Sequence, residues 1–285
     1  MSARFSYKLI TAVCCAALLG GCASSKPAAP TPSPAVQSAY ALEQRAAKAF
    51  AQGDFERALK DFDTAASVYA SLAMTDAHAQ AQLNGARVLA DSGQTAAGQA
   101  RVAAVLASVV PLSAPVRTTA YGRAAALALA SADLPLAATS LAAAQAACGA
   151  SCPASPALAV LAARLQLANG KAAEALVTAN QALALAPMPS NTAMGTANAQ
   201  QAGHANALRV RAQAHAALQS HAPALADAQA ALAIDQTLGF AARVALDLQL
   251  MAAAQRGLGL ADAAARSTAL AEQSLAAAQR LHGDK

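Results

Sequence analysis

Helix-breaking positions recur along this chain at a nearly constant distance. From Tyr40 onward the residues favour helix, and the interruptions fall near Gly53, Gly93, Ala132, Gly170, Gln219 and Gly259. Their separations are 40, 39, 38, 49 and 40 residues. A period in this range marks an array of helical hairpins, each too small to bury its apolar face alone and therefore stacked on its neighbours. The residue types agree. Hydrophobic residues make up 56% of the chain, yet aromatics only 3%, with no Trp. About a third of the chain is Ala, the best intrinsic helix former, and Val and Ile are too sparse to support strands. Ala-rich helices bury little apolar area each, so stability has to come from many helices packed closely.

Within each period the residues resemble the tetratricopeptide repeat. The first unit carries Gly53-Asp54-Phe55-Glu56-Arg57-Ala58 at its turn, with Phe62 and Ala65 following at helical spacing. Later units repeat the small residues: Gly98 and Val105; Ala137 and Ala144; Ala175 and Ala182 with Pro187; Ala224 and Ala231; Ala264 and Ala271. When the units are aligned on their turns, the eighth place reads Ala46, Ala86, Ala125, Ala163, Ala212 and Ala252. In a chain with this much Ala, six of six by chance is about one in a thousand. The large residue expected at the fourth place is kept as Leu42, Tyr121, Leu208 and Leu248 but replaced by Gln82 and Ala159. The resemblance implies an all-α, right-handed superhelical solenoid of about six hairpins over residues 39–285. The widest interval contains 188–204, rich in Gly, Ser, Asn and Pro, and is expected to be a surface loop.

The first residues indicate a compartment. Arg4 and Lys8 precede an apolar run from Leu9 to Leu19. The run is too short to span a bilayer, which takes about 20 residues. It ends in Leu19-Gly20-Gly21-Cys22, which resembles the lipobox of bacterial lipoproteins. That resemblance implies a signal peptide over 1–21, acylation of Cys22 (palmitate among the chains), and, with Ala23 rather than Asp next, an outer-membrane address facing the periplasm. Residues 22–38 hold Pro27, Pro30, Pro32 and Pro34 and read as a flexible tether. Cys14 and Cys15 leave with the leader. Cys148 and Cys152 remain, four apart in an exported chain, and are expected to form a local disulfide.

Net charge is +5, or +3 once Arg4 and Lys8 are removed. Without Lys/Arg blocks or interleaved aromatics this does not indicate nucleic acid. No nucleophile elbow, phosphate loop or His-Glu-x-x-His motif is present. His78, His204, His215, His221 and His282 lack ligand spacing. Asp61 and Asp63, beside Arg57 and Lys60, read as a solvated charged helix face. We therefore expect no enzyme, no metal and no cofactor. The repeat family binds extended peptides along its first helices. Carrying those places over gives Asn84, Arg87, Arg123, Arg164, Asn206, Arg209 and Gln213, an Arg in four successive units. Forked guanidinium contacts suit carboxylates and phosphates. The expected role is an adaptor in cell-envelope assembly or secretion, holding an acidic peptide or envelope protein. The alternative is an envelope enzyme or glycan-binding accessory with a helical body.

Overall fold

The computed structural model describes residues 32–149, 155–188 and 194–283, with side chains from 198 to 277 in the last stretch. The leader, Cys22 and Cys152 lie outside the described residues. Among these residues there are twelve helices and no strand. They run as six consecutive hairpins. These are α1 (Pro34–Gln52) with α2 (Phe55–Ser71), α3 (Thr75–Asp91) with α4 (Thr95–Leu106), and α5 (Ala114–Ala130) with α6 (Leu134–Cys148). The series continues with α7 (Pro156–Ala168) and α8 (Ala172–Leu185), α9 (Met194–Ala217) and α10 (His221–Leu238), and α11 (Ala241–Gly257) and α12 (Ala261–Gly283).

Every predicted break is a hairpin turn with left-handed backbone. Gly53, Gly93, Ala132, Gly170, Gln219 and Gly259 all have positive φ, from 58° to 86°. Each turn closes with the same two bonds. In the first, Gly53 N–H donates to the Phe50 carbonyl and Asp54 N–H to that of Ala49; in the third, Ala132 and Asp133 repeat this on Leu129 and Ala128. This satisfies the last carbonyls of the first helix and reverses the chain within two residues. Glycine suits the position because it has no Cβ to clash there. Ala132 and Gln219 carry that clash. Ala132→Gly is therefore expected to raise stability by about 0.5–1 kcal/mol, the relieved strain exceeding the extra chain entropy. A higher urea midpoint at unchanged slope checks it; a lower midpoint refutes it.

The small-residue columns lie where the two helices of a hairpin meet. Ala46, Ala86, Ala125, Ala163, Ala212 and Ala252 are all buried, as are Ala58, Ala137, Ala175, Ala224 and Ala264 across from them. The second unit shows how close this approach is. A Cβ added to Gly98 on α4 would lie 2.8 Å from the Ala86 carbonyl oxygen on α3. The first helices also pack on one another in series: α3 on α5, α5 on α7, α7 on α9 and α9 on α11. They form one layer, and the second helices from α2 to α10 each pack between their own hairpin partner and the first helix of the next hairpin.

Two expectations need correction. The tether does not extend to residue 38, because α1 begins at Pro34 and Ala39 is already buried. Proline at the first helical position loses no hydrogen bond. The expected loop over 188–204 is mostly helix, since α9 starts at Met194. Ala and Gln between Gly195 and Gly203 favour helix enough to extend it. His204 then docks, its Nδ1 lying 2.7 Å from the Ala186 carbonyl at the end of α8.

Candidate functional site: an arginine-lined groove

The first-helix layer encloses a groove of about 1090 Å³. Its apolar wall includes Pro156, Leu161, Leu185 and Leu246, and the rings of Phe50, Phe55 and Phe240 also line it. Six of the residues chosen from the sequence line it: Arg87 on α3, Arg123 on α5, Arg164 on α7, and Asn206, Arg209 and Gln213 on α9. Asn84 does not; its Oδ1 accepts from Gln80 Nε2 at 3.4 Å along α3.

The arginines fall into two sets. Arg209 is buried and spent inside the protein. Its Nε donates to Asp247 Oδ1 at 2.7 Å, its Nη2 to Asp235 Oδ2, and its Nη1 to Asn206 Oδ1 at 2.8 Å. Asp235 and Asp247 are both fully buried. One guanidinium thus serves two carboxylates. Burial raises the Asp247 carboxyl to about 6 despite its bond to Arg209, and the nearby Asp235 charge adds to the rise. As groove ligands, Arg209 and Asn206 are therefore replaced by a structural network.

Arg87, Arg123 and Arg164 form the other set, with a fourth member that sequence reasoning missed, Arg243. Arg243 lies on the first turn of α11, ahead of where the aligned unit begins at Ala245. The helices here run longer than the repeat, so the groove face extends one turn earlier. Burial pushes the Arg87 guanidinium down to about 10, and the Arg123 charge adds to this. Burial pushes Arg243 down to about 10 as well, helped by Arg87. Arg123 and Arg164 are lowered chiefly by burial. All four remain charged at neutral pH and are poorly paired; Arg87, Arg123 and Arg243 are partly buried, while Arg164 stays open to the groove. Arg87 has Asp91 at 3.8 Å. Arg123 Nε and Arg243 Nη1 are buried with no hydrogen-bond partner. Two guanidiniums stack on rings instead: Arg87 lies 4.4 Å above Phe50 and Arg243 4.4 Å above Phe240. Phe50 sits on the groove face of α1, and searching that face for polar residues alone passed it over.

The acidic pair read as solvated is also reassigned. Asp61 is buried and accepts two bonds from Arg45 of α1, at 2.5 and 2.6 Å. Asp63 accepts from Arg101 of α4 at 2.5 Å. Stacking brings distant helices closer than the neighbours Arg57 and Lys60. Cys148 ends α6 and is disulfide-bonded. His78 Nδ1 lies 2.9 Å from the Ala66 carbonyl, a packing contact between hairpins. Among the described residues no group of His, Cys, Asp and Glu could hold a metal ion, and no helix is long and apolar enough to cross a membrane.

No protein-family model and no curated protein matches this chain. Solved structures do. BtubC (BKLC) from P. vanneervenii aligns over 83% of this chain and 92% of its own, at 17% identity and a TM-score of 0.53. Rap protein, complexed with the Competence and Sporulation Factor, aligns over 87% of this chain and 67% of its own, at 12% identity and a TM-score of 0.59. The TPR2AB domain of yeast Sti1, in a complex with pHSP90, covers 86% and 97% at 15% identity with a TM-score of 0.39. The first two likenesses concern the fold. Together with the buried alanine columns they establish a helical-repeat array similar to tetratricopeptide repeats.

Proposed function

We propose that the protein is a protein-interaction adaptor whose groove holds an acidic segment of a partner. The observation that carries this is the set of four charged, under-paired guanidiniums facing one groove. Leaving partly buried guanidinium donors without partners is costly, and an anionic ligand recovers the loss through short charge-assisted bonds. The Rap structure is of a complex with the Competence and Sporulation Factor, so an array of this fold accommodates a partner. The reading extends to location: an outer-membrane lipoprotein acylated at Cys22, with a right-handed superhelix reaching into the periplasm on a proline-rich tether and working in envelope assembly or secretion. It assigns no catalysis to the protein.

The test is capture of partners from the envelope by the lipidated chain beside a copy carrying Arg123→Glu and Arg164→Glu. Reversing two groove charges is expected to weaken acidic-peptide binding at least 30-fold, about 2 kcal/mol or more. Equal recovery of one partner by both copies rejects the groove as its docking site. Loss of membrane association in Cys22→Ala is the expected result for the anchor.

A further inference from the structure

The four under-paired arginines line one groove, and Arg87 lies near enough to Arg123 and Arg243 to act on both. They come from α3, α5, α7 and α11, so the second hairpin and the sixth contribute to one site. Asp91, at the end of α3, lies on the groove wall among them. It partly offsets the loss at Arg87, Arg123, Arg164 and Arg243 alike, and Arg87 and Arg243 repel each other across the groove. Asp235 acts on Arg243 as well, and the four positive charges still outnumber the carboxylates that reach them. Arg209, bound to Asp235 and Asp247, is not available to a ligand, though its charge still acts on Arg164 and Arg243. Arg123 Nε and Arg243 Nη1 are buried donors with nothing to donate to.

We infer that Arg87, Arg123, Arg164 and Arg243 form a single anion site around Asp91, and that it takes a phosphoryl group carrying two or more negative charges. This rests on the arginine-groove reading above and narrows it. A planar carboxylate offers two oxygens and is filled by one or two forks. A phosphoryl group presents three or more acceptor oxygens in a tetrahedral array, which suits donors arriving from four helices. Its higher charge matches an excess of positive charge better than a single carboxylate does. Asp91 is half-exposed, so it can move aside when the ligand arrives; until then it acts as an internal competitor. The two stacked guanidiniums are held by Phe50 and Phe240, which orients their forks before binding.

The experiment is calorimetric titration of the full chain with inorganic pyrophosphate at pH 7.5 and constant ionic strength. The variants are Arg123→Gln, Arg243→Gln and Asp91→Asn, with citrate as a polycarboxylate control. Expected are binding at least tenfold weaker in either Arg variant, about tenfold tighter in Asp91→Asn, and weaker binding of citrate than of pyrophosphate. The Asp91→Asn arm is a gain of affinity, which a misfolded chain cannot produce. Unchanged or weaker pyrophosphate binding in Asp91→Asn, or citrate binding as tightly as pyrophosphate, overturns the inference. A phosphorylated peptide that outcompetes pyrophosphate places the phosphoryl group on a protein partner; pyrophosphate winning makes it a free anion. If acidic peptides bind through the arginines while pyrophosphate neither binds nor competes, the adaptor reading stands and this inference falls. If pyrophosphate binds as expected and no acidic peptide or partner does, the inference stands and the adaptor reading falls.

Discussion

Arg209→Ala is expected to cost about 3–5 kcal/mol of stability at pH 7.5, more than any other single arginine replacement in the groove. The side chain connects α9 to Asp235 on α10 and to Asp247 on α11. Removing it leaves two fully buried carboxylates facing each other without a cation, and desolvated charge is the largest single penalty available in a core. The pH dependence carries a definite sign. The Asp247 carboxyl is held at about 6, above its ordinary 3.8, so the folded protein keeps a proton that the unfolded chain releases. That stabilisation is complete below about pH 4 and is lost as pH rises through 6. The Arg209 bond is what restrains the rise, so the variant holds the proton to still higher pH. Arg209→Ala should therefore be less harmful at pH 5 than at pH 7.5, by about 1 kcal/mol or more. Urea unfolding at both values measures it. A loss under about 1 kcal/mol, or one that is the same at both pH values, means the carboxylates are not competing for one guanidinium. Asp247→Asn is the companion variant and should flatten the wild-type slope between pH 4 and 6.5.

The ion pairs explain what sequence reading reached and what it did not. The breaks were legible because a left-handed turn leaves a mark on residue choice: Gly stands at four of the six, and the constant spacing identifies Ala132 and Gln219 as the others. The alanine columns were legible because close helix approach excludes large side chains. The groove face was legible as far as the repeat register held, which brought Arg87, Arg123 and Arg164 to one surface. Two things were not. Arg243 lies outside the register, since α11 begins four residues before its aligned start. Arg209 looked equivalent to Arg164 because residue type at a groove position does not show which partners arrive from other helices. A signal for those partners did exist in the spacing. Arg209 and Asp247 are 38 residues apart, as are Asp63 and Arg101, which is one repeat period. Arg45 with Asp61 and Arg211 with Asp227 are both 16 apart, one hairpin crossing. Matching opposite charges at the repeat period and at the hairpin crossing separates arginines consumed by the fold from those left for a ligand.

Replacing Ala175 by Leu on α8 is expected to lower stability by about 3 kcal/mol, while Ala173→Leu on the same helix should stay within about 0.5 kcal/mol of wild type. Both positions favour helix equally, so propensity predicts the same outcome for each. Packing predicts opposite ones. Ala175 is fully buried beside Ala163, Ala179, Val210 and Ala214, between α7 and α9; Ala173 faces solvent two residues away. A leucine at 175 needs room for three more carbons in an interface whose separation is set by alanine, and overpacking by that much forces helix shifts. In a stacked array the shift is passed to the neighbouring hairpins, because the first helices from α3 to α11 rest on one another in series. Ala175→Leu should therefore also disturb the groove, lowering pyrophosphate or peptide binding although residue 175 does not line it. Thermal unfolding and ligand titration of the two variants separate the explanations. If both leucines are tolerated alike, the alanine content serves helix formation alone, and the close approach of helices has no part in fixing the groove.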